Sequence, residues 1–131
     1  MNFSQGVKFD GVYTIEVKDK DGNLKDREVV ENLIVNTGLA EIAGLIGNTG
    51  SPTAFTYLAV GSASTAANAT DTTLETELTD GGLERASAAV TRQTTNAAND
   101  TLQLVKTFTV TGTKTVREVG VFNHARVGTM L

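Results

Sequence analysis

Thr101-Leu102-Gln103-Leu104-Val105-Lys106-Thr107-Phe108-Thr109-Val110-Thr111 carries the most regular alternation in the chain. Leu102, Leu104, Phe108 and Val110 fall on one side of an extended backbone, and Thr101, Gln103, Thr107, Thr109 and Thr111 on the other. Lys106 breaks the apolar row and Val105 the polar one. Side chains of a strand alternate between its two faces, so a period of two turns one row to a core and the other to water. The whole chain repeats this bias: 21 threonines stand against one proline and no tryptophan. Threonine is β-branched and fits a half-wet pleated surface, so the composition predicts a mostly β protein.

Working outward, Lys114 to Asn123 predicts the following strand, with Val116, Val119, Val121 and Phe122 making it apolar on both sides and Gly120 marking a bulge. Gly128-Thr129-Met130-Leu131 starts another. Upstream, Arg85 to Gln93 predicts a weaker strand, joined to the first by the turn residues 94–100. Phe55 to Gly61 predicts a buried one. Thr72 and Glu75 have capping-box spacing, which predicts a single helical turn over Thr73 to Leu78. Residues 62–72 are small and polar without a period, and form a surface loop.

Near the start, Tyr13, Ile15 and Val17 alternate with Thr14, Glu16 and Lys18. Asp21-Gly22 follows, a hairpin-turn pair because both residues tolerate positive φ. The return strand is expected over Leu24 to Val35. Asn36-Thr37 can cap a helix, and Leu39, Ile42, Leu45 and Ile46 recur at helical spacing, so one short α-helix is expected at about residues 37–47. Gly38 and Gly44 would let it approach its neighbours closely. These elements predict an antiparallel β-sandwich or barrel-like domain over residues 11–131, preceded by an N-terminal arm, residues 1–10, in which Phe3, Val7 and Phe9 stand out.

The function classes narrow by chemistry. With no cysteine, disulfides and thiolate metal sites are excluded. The net charge is −4 and the basic residues are scattered, which disfavours direct nucleic-acid binding. No segment approaches the roughly 20 apolar residues a bilayer-spanning helix needs, and the first residues lack a basic stretch followed by an apolar run, so neither membrane insertion nor secretion is expected.

His124 is the sole histidine, and no Ser-Asp motif accompanies it, so a surface or interface role is favoured over a catalytic base. Glu75, Glu77, Asp80 and Glu84 read as solvated charge. Asp19-Lys20-Asp21-Gly22-Asn23 lacks the glycine placement and closing glutamate of a calcium loop, and reads as a turn. No cofactor is expected. Arg117 and Glu118 admit two readings: the wet face of a core strand, or a buried or intersubunit ion pair that fixes register.

The order of segments also resembles a known group. Asn32-Leu33-Ile34-Val35-Asn36-Thr37-Gly38-Leu39, Phe55-Thr56-Tyr57-Leu58-Ala59-Val60-Gly61, Thr73-Leu74-Glu75-Thr76-Glu77-Leu78, Phe108-Thr109-Val110-Thr111-Gly112 and Glu118-Val119-Gly120-Val121-Phe122-Asn123 together resemble small virion structural proteins of tailed bacteriophages, including the capsid decoration, or cement, type. The resemblance implies a non-enzymatic subunit on the outer capsid surface, assembled in the host cytoplasm, with the major capsid protein and other copies of itself as partners, commonly as a trimer. Its segments are shared with tail and tail-fibre-associated proteins, which form the alternative; a host-surface binding module is the second. Under the leading reading, Phe3, Val7 and Phe9 would grip the shell or an adjacent subunit. Thr65 and Asn68 would lie at a subunit junction, with Arg117 and Glu118 as further contacts.

Overall fold

The computed structural model describes residues 1–2 and 6–131. The protein is mostly β, antiparallel throughout, with one helix. It divides into two compact units, Met1–Ile34 and Val35–Leu131.

The first unit is a hairpin. Strand β1 (Gly11–Lys18) pairs antiparallel with β2 (Leu24–Asn32), placing Tyr13 opposite Val30 and Glu16 opposite Arg27. The turn is fixed by Asp19, whose carboxylate accepts N–H bonds from Asp21 and Asn23, both 2.9 Å, and faces Lys25 Nζ at 3.1 Å. Gly22 takes φ +86°, a conformation that glycine adopts without steric cost. The return strand stops at Asn32, short of the expected Val35, because β1 begins at Gly11 and offers no partner beyond it.

The second unit opens with helix α1 (Asn36–Gly47). The expected cap is corrected: Val35 occupies the N-cap with no side-chain bond, so Asn36 and Thr37 are already helical. The apolar stripe is corrected as well. Leu39, Leu45 and Ile46 are exposed, Ile42 is half-buried, and the fully buried position of the helix is Gly38. A Cβ on Gly38 would stand 2.7 Å from the Leu131 backbone, and one on Gly44 3.0 Å from the Thr49 carbonyl oxygen.

Strand β3 (Tyr57–Gly61) is central to a three-stranded sheet, flanked by β4 (Ala86–Ser87) and by β7 (Glu118–Phe122). Between these flanking strands in sequence, β5 (Ala89–Gln93) and β6 (Thr101–Val105) form a separate two-stranded ribbon. The strand expected over Arg85–Gln93 is therefore split at Ala88, whose N–H leaves to bond the Thr56 carbonyl at 2.8 Å. The long alternation ends its ladder at Val105 because β5 starts at Ala89 and residues 106–111 have no strand opposite them. Strand β7 is likewise shorter than the expected 114–123, matching the five residues of β3.

The predicted bulge at Gly120 is replaced by regular pairing with Ala59. A Cβ there would press on Leu74 and Phe122, so the glycine makes room for the core. Val35, Ala59, Leu74, Phe122 and Met130 form that core, with Tyr57 packed against it. The last residues extend the β7 edge as expected: Phe122 bridges Met130, and Leu131 N–H bonds Val121 O at 2.9 Å.

Candidate interaction surfaces

Polar side chains inside residues 35–131 hold loops onto the sheet, and these anchors decide which surfaces stay fixed. Glu118, half-buried on β7, accepts backbone N–H bonds from Glu75 at 2.9 Å, Thr76 at 3.1 Å and Ala63 at 3.2 Å. These contacts correct the helical turn expected over residues 73–78. Residues 73–78 form no helical turn, because their N–H groups turn inward to the carboxylate and Glu77 bridges Gly61. The Arg117–Glu118 ion pair is not formed within the chain: Glu118 is committed to the backbone, and Arg117 is exposed, with no carboxylate partner among the described residues.

Arg85 provides the second anchor, and its role was not evident from sequence. Its side chain is 6% exposed. Nε and Nη2 donate to the two oxygens of Glu77, at 2.9 and 2.5 Å. Nη1 donates to the carbonyls of His124 and Val127, at 3.2 and 3.1 Å, and the guanidinium carbon lies 3.5 Å from the centre of the Phe122 ring. Glu77 is thus a partner of a buried cation rather than solvated charge. A planar fork of donors suits this bidentate task, and the aromatic face below it adds a cation–π contact. No motif or periodicity in the sequence selects the pair.

Buried Asn123 completes the set. Its Nδ2 donates to Glu41 Oε1 at 2.9 Å, its Oδ1 accepts from Thr129 N–H at 2.7 Å, and Glu41 Oε1 also accepts from Thr53 N–H at 2.7 Å. One carboxylate on α1 therefore ties the helix to β7 and to the following loop. His124 Nδ1 accepts N–H bonds from Arg126 and Val127, which places the histidine in a turn.

The named contact residues fall in both units. Phe3 falls outside the described residues. Val7 and Phe9 are exposed, 72% and 40%, in the first unit. Thr65 and Asn68 are exposed on the loop whose base Glu118 holds through Ala63. Asn68 closes that loop locally, with Oδ1 accepting from Thr70 N–H at 3.0 Å and its own N–H donating to Asp71 at 2.8 Å.

The hairpin has a different character. No described residue of 1–34 is buried, and Leu24 to Glu31 of β2 are exposed on both faces. The Tyr13 hydroxyl is shielded without a hydrogen-bond partner among the described residues, and burial pushes it up to about 12. Within the hairpin β2 bonds to β1 alone, so among the described residues the outer edge of each strand carries backbone donors and acceptors outside any ladder. The β5–β6 ribbon is similar, with Val90, Leu102 and Val105 exposed.

Among the described residues no three His, Asp or Glu side chains gather where a metal ion could be held, and no helix is long and apolar enough to cross a membrane. Comparison with known protein families, with curated proteins and with solved structures finds no match to this chain.

Proposed function

We propose that this protein is a virion structural subunit of the capsid decoration, or cement, type, which binds the outer surface of a tailed-phage head and stabilises the shell. The observation that carries the reading is the hairpin β1–β2: two strands of eight and nine residues with no buried residue, in a chain whose other unit has its own core. A two-stranded hairpin alone is marginal in water, and an open strand edge is a template for pairing with another chain. The order of sequence segments supplies the viral context.

The mechanism is contact rather than chemistry. A subunit that binds the assembled lattice but not free capsid protein shifts assembly by mass action. Attachment as a trimer adds effective concentration to each further contact. The arm around Phe3, Val7 and Phe9 would reach the major capsid protein or an adjacent copy, and the loop bearing Thr65 and Asn68 would lie at a subunit junction. On this reading the chain works without enzymatic activity, cofactor or nucleic-acid contact, and resides on the virion.

Imaging of the intact particle tests the proposal. Density for this chain on the outer shell at local threefold positions supports it. Density confined to the tail would transfer the protein to the tail-associated class. Removing residues 2–9 should lower capsid occupancy, and undiminished occupancy would take the arm out of the mechanism.

A further inference from the structure

We propose that the free edge of β2 pairs with the same edge of a second copy, antiparallel about a two-fold axis centred on Val29, joining two hairpins into one four-stranded sheet. The inference rests on the edge alone and does not need the decoration reading.

A two-fold axis normal to a sheet keeps its faces, so residues set opposite one another must point the same way and differ by an even number of positions. This restricts the register, and charge then chooses among the possibilities. Centring on Asp26 opposes Asp26 to itself and Lys25 to Arg27. Centring on Arg27 opposes two guanidiniums and sets Asp26 against Glu28. Centring on Glu28 sets Lys25 against Glu31 twice but opposes two carboxylates on the axis, and centring on Val30 forms no ion pair. Centring on Val29 places Arg27 opposite Glu31 twice, Glu28 opposite Val30 and Asp26 opposite Asn32, with no like charges opposed. Opposite charges across a strand pair stabilise it and like charges oppose it, so this register is selected.

The side chains are placed for it. Arg27, Val29 and Glu31 share a face with Val12, Thr14 and Glu16 of β1. Arg27 Nε lies 3.6 Å from Glu16 of its own hairpin, which leaves its two terminal nitrogens for Glu31 of the other copy. Glu31 faces Val12 across the hairpin and so has no competing cation opposite it. Val29, 55% exposed, would meet its counterpart on the axis.

The chain has no native cysteine, so a disulfide trap reads the register directly. Directly opposed strand residues have Cα atoms about 4.5–5.5 Å apart, within disulfide reach, whereas the two copies of Val30 would be offset beyond about 7 Å. In the full chain, V29C should form a disulfide-linked dimer under mild oxidation at least about tenfold faster than V30C. Adding Glu31→Arg to V29C, which opposes two guanidiniums at each former ion pair, should slow the trapping about tenfold, and adding Arg27→Glu as well should restore it. Circular dichroism of each variant checks the fold, and the restored double exchange separates lost pairing from lost structure. Equal trapping of V29C and V30C, no trapping of V29C, or no recovery in the double exchange would overturn the proposal.

Discussion

In residues 35–131 three buried or half-buried polar side chains hold loops to the sheet: Glu118 gathers three backbone N–H groups, Arg85 joins Glu77 to two carbonyls, and Asn123 links Thr129 to Glu41. Residues 1–34 carry 12 of the chain's 26 charged side chains, and all but Asp19 lie outside. Lys8–Asp10, Lys18–Glu16 and Arg27–Glu16 are surface pairs with at least two-fifths of each side chain exposed. The same residue types thus do unlike work. A bonded charge inside the body fixes one arrangement, because breaking it strands a charge in a poor solvent. A charge on the hairpin costs little to lose and is free to choose a partner from outside.

The contrast breaks most sharply at Arg85. Arg85→Met keeps the volume over Phe122 but leaves the Glu77 carboxylate without its cation and two carbonyls without a donor. Urea unfolding followed by circular dichroism should show a loss of about 3–5 kcal/mol, the cost of orphaning one member of a buried pair. The matched change on the hairpin, Arg27→Met, removes an exposed pair and should cost less than about 1 kcal/mol by the same measurement. Comparable losses at the two positions would erase the distinction between the regions.

A smaller effect is expected at Glu118. The change Glu118→Gln keeps the shape but turns one acceptor into a donor that faces backbone N–H groups. Losing the charge-assisted bonds should cost about 1.5–3 kcal/mol in urea unfolding, with Glu75 and Thr76 amides exchanging faster with solvent. An unchanged midpoint would show that the loop over β7 is held by its apolar contacts, Leu74 above all.

The least costly perturbation is acid, and it acts on turns in both units. Bonds from the N–H groups of Ala97, Thr95 and Asn96 hold the Asp100 carboxyl well below the usual range, and the N–H and side chain of Asn23 lower Asp19 in the hairpin turn. A carboxyl held low in the folded state stabilises it above the ordinary carboxylate pKa of about 3.9, and that contribution fades as pH falls through the lower folded value. The Asp100 carboxylate is exposed and that of Asp19 half-exposed, and each bonds only within its own turn, so the effect should be confined to the turns. Protection of the Thr95, Asn96 and Ala97 amides should fall as pH drops below about 4, while β3 and β7 stay protected. The substitution Asp100→Asn should remove that pH dependence from the β5–β6 turn alone.

How far sequence reaches is plain from where these features lie. Alternation located β1 and β6, apolar runs located the cores of β3 and β7, and turn chemistry located Asp21-Gly22, because all three signals are local. They overran at residues 106–111 and 114–117, where pattern persists but no strand lies opposite; pairing length belongs to the partner. The glycines of α1 announced close approach, yet the direction of approach was missed, since Leu39, Leu45 and Ile46 stay in solvent and Gly38 meets the backbone of Leu131. Least legible were Arg85, Glu77 and Glu118. Glu77 reads as solvated charge, Arg85 as the start of a strand and Glu118 in two ways, because the partners that decide their roles lie on other loops or strands, 8 to 55 positions away.

Residue-resolved amide hydrogen exchange, on the free protein and after it has bound shells, tests most directly whether residues 35–131 supply a rigid platform and the hairpin a surface completed by others. In the free protein the β3 and β7 amides should be strongly protected, and the outward N–H groups of β2 should exchange freely; binding should slow the β2 set and leave the platform unchanged. Strong protection of β2 in a dilute monomer, or binding that leaves its exchange unaltered, would contradict the account.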